Sequence, residues 1–306
     1  MGRRRRRGRD VHGILLLDKP FGQTSNQALQ AVRRLYDARR AGHTGSLDPL
    51  ATGLLPICMG EATKISGFLL AADKRYRFTV RLGETTDSGD ADGTVLEQRP
   101  VGVIERGEIE DVLARHHGEI LQVPPMHSAV KQGGQPLYRL AHRGEEVQRA
   151  ARSAYIHRLE LHGFDGRDLE LEVHCSKGTY VRTLAMELGA ELGPGGHIVA
   201  LRRIGAGPFA DDGSLWTLDG LREQAESGGH AVLDTLLLPI DAGIRDWPAV
   251  EMGGAVADFV RQGQAVQVPG APSGGRVRLY DRERGFFGIG EVEDDGRIGP
   301  RRLMNL

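Results

Sequence analysis

The segment Gly42-His43-Thr44-Gly45-Ser46-Leu47-Asp48-Pro49-Leu50-Ala51-Thr52-Gly53 sets an aspartate before a proline and among glycines. Pro49 biases Asp48 away from helix and towards an extended backbone, and the glycines allow the chain to approach a ligand closely. A carboxylate held on such a loop could serve as a nucleophile. The same residues also fit an ordinary turn opened by Asp-Pro. Arg182 follows the turn Ser176-Lys177-Gly178-Thr179 and falls in the first turn of a helical pattern. A cation there opposes the helix dipole at a cost of about 0.3–1 kcal/mol. A buried carboxylate is the expected compensation, and an arginine partner would hold Asp48 ionised. A solvated surface arginine is the plain alternative.

Three further side chains could face a base. Tyr76 stands on the apolar side of an alternating strand, where it is either core or a stacking platform. Tyr180 precedes the apolar stripe of its helix by one residue and is free to face a site. His43 either inserts beside a nucleobase or caps its loop. Other chemistry lacks its motifs. There is no strand–GxGxxG–helix unit, no GxxxxGK[ST], no HExxH and no CxxC. Cys58 and Cys175 match no zinc or redox spacing. Chemistry without cofactor or metal is therefore expected.

Stepping along the chain, elements that would position these residues can be read from periodicity. His12 to Leu17 predicts a short buried strand. Thr24 and Gln27 stand as in a capping box, and Ala28, Val32, Leu35 and Tyr36 share one helical face. Gly42 to Gly60 loses all period and predicts a long ordered loop or chain of turns. Ala62 to Leu70 predicts a helix. Lys74 to Leu82 alternates strictly, with Tyr76, Phe78, Val80 and Leu82 inward, as a half-buried strand does. Glu108 to His117 predicts a helix burying Ile109, Val112 and Leu113. Residues 124–151 are rich in Gly, Pro, Lys and Arg and predict a projecting insertion with a short helix near Leu137 to His142. Leu169, Leu171, Val173 and Cys175 alternate as a central strand. Val181, Leu184, Leu188 and Leu192 mark a helix, and Ile198 to Ile204 another strand. Short helices follow residue 210, a joint falls at Asp246 to Pro248, and one short helix (Val256, Phe259, Val260) with several strands completes the chain. Strands and helices interleave without a βαβ repeat, so the fold class is α+β with a mixed sheet. The organisation read is a basic flexible arm at 1–10, a catalytic domain at 11–247 and a small, mostly β domain at 248–306.

The 306 residues are enough for one large domain and a smaller one. Net charge is −1, yet residues 1–82 carry 16 Lys/Arg against 6 Asp/Glu. That front half is either an electrostatic footprint for a phosphate backbone or a disordered arginine tail, Arg3 to Arg7, with solvated faces. The apolar run Ile14 to Leu17 is interrupted by Asp18 and Lys19, so it is too short for a signal peptide, which needs roughly 7–15 apolar residues. No run approaches the roughly 20 residues of a membrane span. A cytoplasmic protein without membrane contact is expected.

Several separate segments, in order, resemble the bacterial TruB-type tRNA pseudouridine-55 synthase family. They are Leu17-Asp18-Lys19-Pro20-Phe21-Gly22-Gln23-Thr24-Ser25, the loop Gly42 to Gly53 with Leu54-Leu55-Pro56 and Gly60-Glu61-Ala62-Thr63-Lys64, Lys74-Arg75-Tyr76-Arg77 with Leu82-Gly83-Glu84-Thr85-Thr86-Asp87, Pro124-Pro125-Met126-His127-Ser128-Ala129-Val130-Lys131, and Ser176 to Arg182. The likeness spans residues 12 to about 210, while residues 248–306 resemble the family's PUA fold by pattern and position. At His127 many members have a tyrosine.

The resemblance implies a mixed-sheet pseudouridine synthase catalytic domain with an RNA-gripping thumb insertion at about 124–151, plus a PUA-like RNA-binding domain. It implies isomerisation of uridine 55 in the tRNA T loop, with Asp48 as nucleophile and Arg182 as its partner. His43, Tyr76, Tyr180 and Leu201 correspond to positions that contact or flank the target nucleotide; Leu201 rests on spacing from the arginine motif. A base inside a folded loop must be flipped out to react. Attack at C1′, elimination through a glycal, and addition to C6 all remain open, as does a role for Tyr76 as proton acceptor. The partner implied is the T arm of tRNA, with no obligatory protein partner and a monomeric enzyme. Rival readings are a non-catalytic RNA-binding or RNA-folding protein, a guide-RNA-dependent relative working in a multi-protein particle, and, remotely, a glycosidase with paired carboxylates.

Overall fold

A computed structural model describes residues 8–306 except 127, 129, 138, 139, 141, 142 and 146. Among the described residues, nine strands form the largest sheet. Its order is Gly13–Lys19, Thr52–Met59, Gly196–Ala206, Lys74–Leu82, Asp168–Cys175, Arg152–Phe164 and Gly118–Gln122, with Ala41–His43 paired to Thr52–Met59 and Phe209–Ala210 to Gly196–Ala206. All of these pairings are antiparallel except the short parallel contact of Gly196–Ala206 with Thr52–Met59. A mixed sheet with helices Ser25–Leu35, Arg106–Arg115, Val181–Glu191 and Leu218–Thr235 is the α+β fold expected.

The strand Lys74–Leu82 lies mid-sheet because its alternation suits one buried face: Phe78, Val80 and Leu82 are buried while Arg75 and Arg77 are exposed. Its neighbours bury Leu169, Leu171, Val173, Ile198 and Leu201 into the same core, against which the helix Val181–Glu191 packs Val181, Leu184 and Leu188. Tyr76 is half-buried at the edge of that core. The capping box is present: the Gln27 N–H donates to Thr24 Oγ1 at 3.2 Å, and the Thr24 N–H donates to Gln27 Oε1 at 2.8 Å.

Two readings are corrected. Residues 52–59, expected within a loop, form a strand whose residues 53–59 are all buried. Leu55, Ile57 and Met59 enter one apolar cluster and Leu54 and Cys58 another, so no period-2 signal is written in Leu54 to Met59. The single helix expected over Ala62 to Leu70 is a 3-10 turn, Gly60–Lys64, followed by a short α-helix, Ser66–Ala71. Of Val256, Phe259 and Val260, which marked the last helix, Val260 is buried together with Ala257 while Phe259 is 50% exposed.

The basic arm expected over 1–10 does not include its last residues. Arg9 bridges to Ala38, and its guanidinium pairs with Asp234. Arg3 to Arg7 lie outside the described residues, as do His127 and most of the short helix expected near Leu137 to His142. The expected short helices after residue 210 run as Leu218–Thr235, interrupted at Gly229.

A four-stranded sheet, Ala249–Met252, Gly275–Asp281, Gly285–Val292 and Ile298–Leu303, has its own core around Val250, Val260, Val277 and Leu279. It is docked firmly. Ile289 and Met304 join Ile14, Leu54 and Ile65 in one apolar cluster. Lys64 Nζ donates to Leu303 O at 2.6 Å, and the Asn305 N–H donates to Glu61 Oε2 at 2.9 Å. No helix among the described residues is long and apolar enough to cross a membrane.

Candidate active site

Asp48 sits on the loop between Ala41–His43 and Thr52–Met59, and this loop is held from several sides. Ser25, in the first turn of its helix, uses one hydroxyl for both polar groups of Leu47: it accepts from the Leu47 N–H at 2.7 Å and donates to Leu47 O at 3.0 Å. The Gly22 N–H donates to Pro49 O at 2.9 Å, and the Ala51 N–H closes a turn on Asp48 O at 3.1 Å. Gly53 ends the loop with φ +95°; a Cβ there would stand 2.4 Å from Arg203 O. Only glycine permits that approach of the loop to the neighbouring strand.

The expected ion pair forms. Arg182 Nε lies 3.0 Å from Asp48 Oδ2. The Arg182 side chain is 7% exposed, whereas that of Asp48 is 42% exposed and open to a ligand. Arg182 also meets a carboxylate that sequence reasoning did not single out, Asp90, at 3.4 Å, and donates to Ser88 O at 3.1 Å. Asp90 is buried and accepts from Ser88 Oγ at 2.6 Å.

The Asp48 carboxyl is pushed above its ordinary range, first by burial among protein atoms; Arg182 and Lys19 pull it back while Asp90 and Asp92 raise it further. Arg182 thus favours the ionised carboxylate, as one of several groups acting on it. Lys19 is fully buried, donates to Pro20 O at 2.8 Å and Pro49 O at 3.4 Å, and is lowered by burial to about 8.

Two cavities meet at Asp48. One, of about 340 Å³, gathers Asp48, Tyr76, Tyr180, Arg182 and Leu201, with Lys74, Arg203 and Ser128 also on its wall. Five of the six expected site residues thus share one cavity. His43 is the sixth, and it lines the adjoining cavity of about 680 Å³ with Ser46, Asp48, Asp90, Asp92 and Arg182. His43 Nδ1 accepts from the Gly45 N–H at 3.4 Å, and burial, aided by Arg203, lowers its pKa and favours the neutral ring.

Burial raises the Tyr76 phenol, with Arg203 pulling the other way. A phenol that keeps its proton cannot accept another at neutral pH, so the geometry suits a platform better than a base. Arg203 is almost fully buried; its Nε donates to Leu54 O at 2.7 Å and its guanidinium to Gly45 O at 3.2 Å, tying the loop to the strand Gly196–Ala206. Lys74 Nζ caps the helix Ser66–Ala71 through Leu69 O, Leu70 O and Ala72 O, and burial lowers it to about 8. Lys19, Ser25, Asp90 and Arg203 were missed as site residues. For Lys19 and Ser25 the signal was present, since both lie in the quoted motif at residues 17–25; Asp90 and Arg203 carry none.

A separate group, Asp73, His157 and His174, lies on the opposite, exposed face of the sheet, with His157 Nε2 3.1 Å from Asp73 Oδ2. Burial, then His157 and least of all Arg75 lower the His174 pKa against the pull of Asp73, and Arg75 would also oppose a bound cation.

Residues 33–181 match the TruB family pseudouridylate synthase (N terminal domain), residues 182–245 the tRNA pseudouridylate synthase B C-terminal domain, and residues 248–304 the Pseudouridine synthase II TruB, C-terminal. The tRNA pseudouridine synthase B of Nitrosococcus oceani is 54% identical over 98% of this chain and 97% of its own. The chain belongs to the TruB family. A second TruB relative, the tRNA pseudouridine synthase B of Ectopseudomonas mendocina, is 55% identical over 97% of this chain and 96% of its own. Among solved structures, a Cbf5–Nop10–Gar1 complex is similar at 25% identity, with a TM-score of 0.73 over 95% of this chain and 84% of that one.

Proposed function

We propose that this chain isomerises uridine to pseudouridine in tRNA, at position 55 of the T loop, with Asp48 as the nucleophile. One observation carries the reading. A solvent-open aspartate is paired to a buried arginine at the mouth of a cavity walled by Tyr76, Tyr180 and Leu201. That arrangement suits a flat, neutral base beside a carboxylate. Near-full-length relatives bearing the name tRNA pseudouridine synthase B support it.

The target base leaves its stack at a cost of a few kcal/mol. Tyr76 stacks on it, and neutral His43, across Asp48, fills the space it vacates. The C1′–N1 bond breaks and a C1′–C5 bond forms. C5 releases its proton to water and N1 takes one up, so the reaction balances without oxidant, reductant or cofactor. Exclusion of water protects the intermediate, because escape of the base would leave an abasic site.

Residues 11–247 serve as the catalytic unit, with the insertion at about 124–151 as the thumb that grips the T arm. Residues 248–306 serve as a PUA-like RNA-binding unit. The enzyme works in the cytoplasm as a monomer without an obligatory protein partner. The insertion favours this over a guide-RNA-dependent relative working in a multi-protein particle.

The test is tritium release from C5-labelled, unmodified tRNA transcript by purified protein without added metal. Release of one tritium per transcript, mapped to the T loop and absent in Asp48→Asn, is the expected result. Binding without release would favour an RNA-binding protein or a missing partner.

A further inference from the structure

Both members of the Asp48–Arg182 pair follow a residue whose backbone is gripped by a single buried side chain. On the aspartate side, Ser25 satisfies the N–H and C=O of Leu47, the residue before Asp48, at 2.7 and 3.0 Å. On the arginine side, Gln122 does the same for Tyr180, two residues before Arg182. Gln122 Oε1 accepts from the Tyr180 N–H at 3.0 Å, and Nε2 donates to Tyr180 O at 3.3 Å. Ser25 is 3% exposed and Gln122 2%.

These contacts replace what regular structure would supply. Tyr180 is the N-cap of the helix Val181–Glu191, and no side chain of its own caps that helix. Leu47 lies outside any strand or helix. Each clamp uses a donor and an acceptor at once, so it fixes the direction of a peptide as well as its position. Ser25 reaches its target across 22 residues and Gln122 across 58. The two clamps therefore join four segments distant in sequence: the first helix, the Asp48 loop, the strand Gly118–Gln122 and the arginine helix.

We propose that Ser25 and Gln122 are paired positioning residues that set the geometry of the Asp48–Arg182 pair for the isomerisation. This rests on the reading of Asp48 as nucleophile given above. Gln122 has a second consequence. It closes the strand Gly118–Gln122 two residues before the insertion begins at Pro124, so a pull on that insertion by bound RNA reaches the arginine helix through this amide.

The charged groups acting on Asp48 are Arg182, Asp90, Lys19 and Asp92, while Gln122 also meets Glu187, which in turn faces His116. Removing Ser25 loosens the Asp48 loop from its cations Arg182 and Lys19, and removing Gln122 loosens Arg182 and also releases Glu187. Asp48 then loses part of the cation that favours its ionised form, and its acid limb moves to higher pH.

The test compares Ser25→Ala, Gln122→Met and the double variant with the full-length protein, in single-turnover tritium release against pH and in tRNA binding. Each single variant is expected to lose about 10-fold or more in rate, with binding within a few-fold of the parent. Its acid limb should lie at higher pH. The double variant should lose less than the product of the two, because both act through one ion pair. Ser25→Thr, which restores the hydroxyl, should recover rate and limb, and it carries the test by itself if Gln122→Met does not fold. Lowered melting temperature with unchanged rate and limb would make the clamps merely structural and overturn the proposal. Strictly multiplicative losses would overturn their pairing. An Asp48→Asn protein that still releases tritium would defeat the underlying reading instead, whatever the clamps do.

Discussion

On one side of Asp48 the wall is Tyr76, Tyr180 and Leu201, with the cations Lys74 and Arg203 behind them; on the other it includes Asp87, Asp90 and Asp92. The two cavities share Asp48 and Arg182 but differ in sign. The first offers an aromatic face and positive potential, which suit a base and its phosphate. The second repels phosphate, and its carboxylates act on the Asp48–Arg182 pair instead: Asp90 meets Arg182, and both Asp90 and Asp92 raise Asp48. The difference teaches that the arginine serves two masters. It draws Asp48 towards ionisation while being shared with a competing carboxylate.

The hardest way to break this comparison is to remove what the cavities share. Asp48→Asn should lower single-turnover tritium release by at least about 10³-fold, with tRNA affinity little changed in a filter-binding assay; lost affinity with intact chemistry would defeat the assignment. Arg182→Lys should cost about 10²-fold, since an ammonium cannot span Asp48, Asp90 and Ser88 O as a guanidinium does. Near-normal rates there would count against a working ion pair.

Smaller effects sharpen the contrast between the sides. On the aromatic side, Tyr76→Leu should lose about 1–3 kcal/mol of transition-state stabilisation, read as the change in kcat/KM, while Tyr76→Phe should stay close to the parent. A collapse in Tyr76→Phe would restore the hydroxyl as a proton acceptor. On the acidic side, Asp90→Asn should move the acid limb of the rate profile. The sign follows from the charges. Asp48 is raised, so the parent loses activity above the ordinary carboxylate range as pH falls. Removing Asp90 deletes a like charge and frees Arg182 for Asp48, so the limb should move to lower pH. A limb moving upward would mean that Asp90 chiefly seats Arg182.

Much of the Asp48–Arg182 pair was legible because local rules and motif order carried it. Asp48-Pro49 marked an extended loop, Arg182 stood where a helix disfavours a cation, and strict alternation placed Tyr76 on the inward side of its strand. Asp90 was not legible. It comes to Arg182 because its segment bridges to Ile198 and because Ser88 and Gly89 fold back on the sheet, a contact with no sequence period. That His43 accepts from its own loop at Gly45 and lines the cavity across Asp48 from Tyr76 was not legible either. The strand at 52–59 was hidden for the opposite reason: burial on both faces leaves no polar residues to mark a period.

The sequence by itself determined the helices and strands with one wet face, the capping box at Thr24, the family, and the choice of Asp48 and Arg182 as an ion pair. Those features follow from side-chain period, backbone restriction and dipole, which act over a few residues, or from motifs recognised in order. Tertiary structure alone decided that Arg182 is shared between two carboxylates, that Ser25 and Gln122 grip the backbone beside the pair, and that burial raises Asp48. Each depends on groups far apart in the chain meeting, with Arg182, Asp90, Ser25 and Gln122 buried beside a partly exposed Asp48. Packing alone creates that proximity and that loss of water.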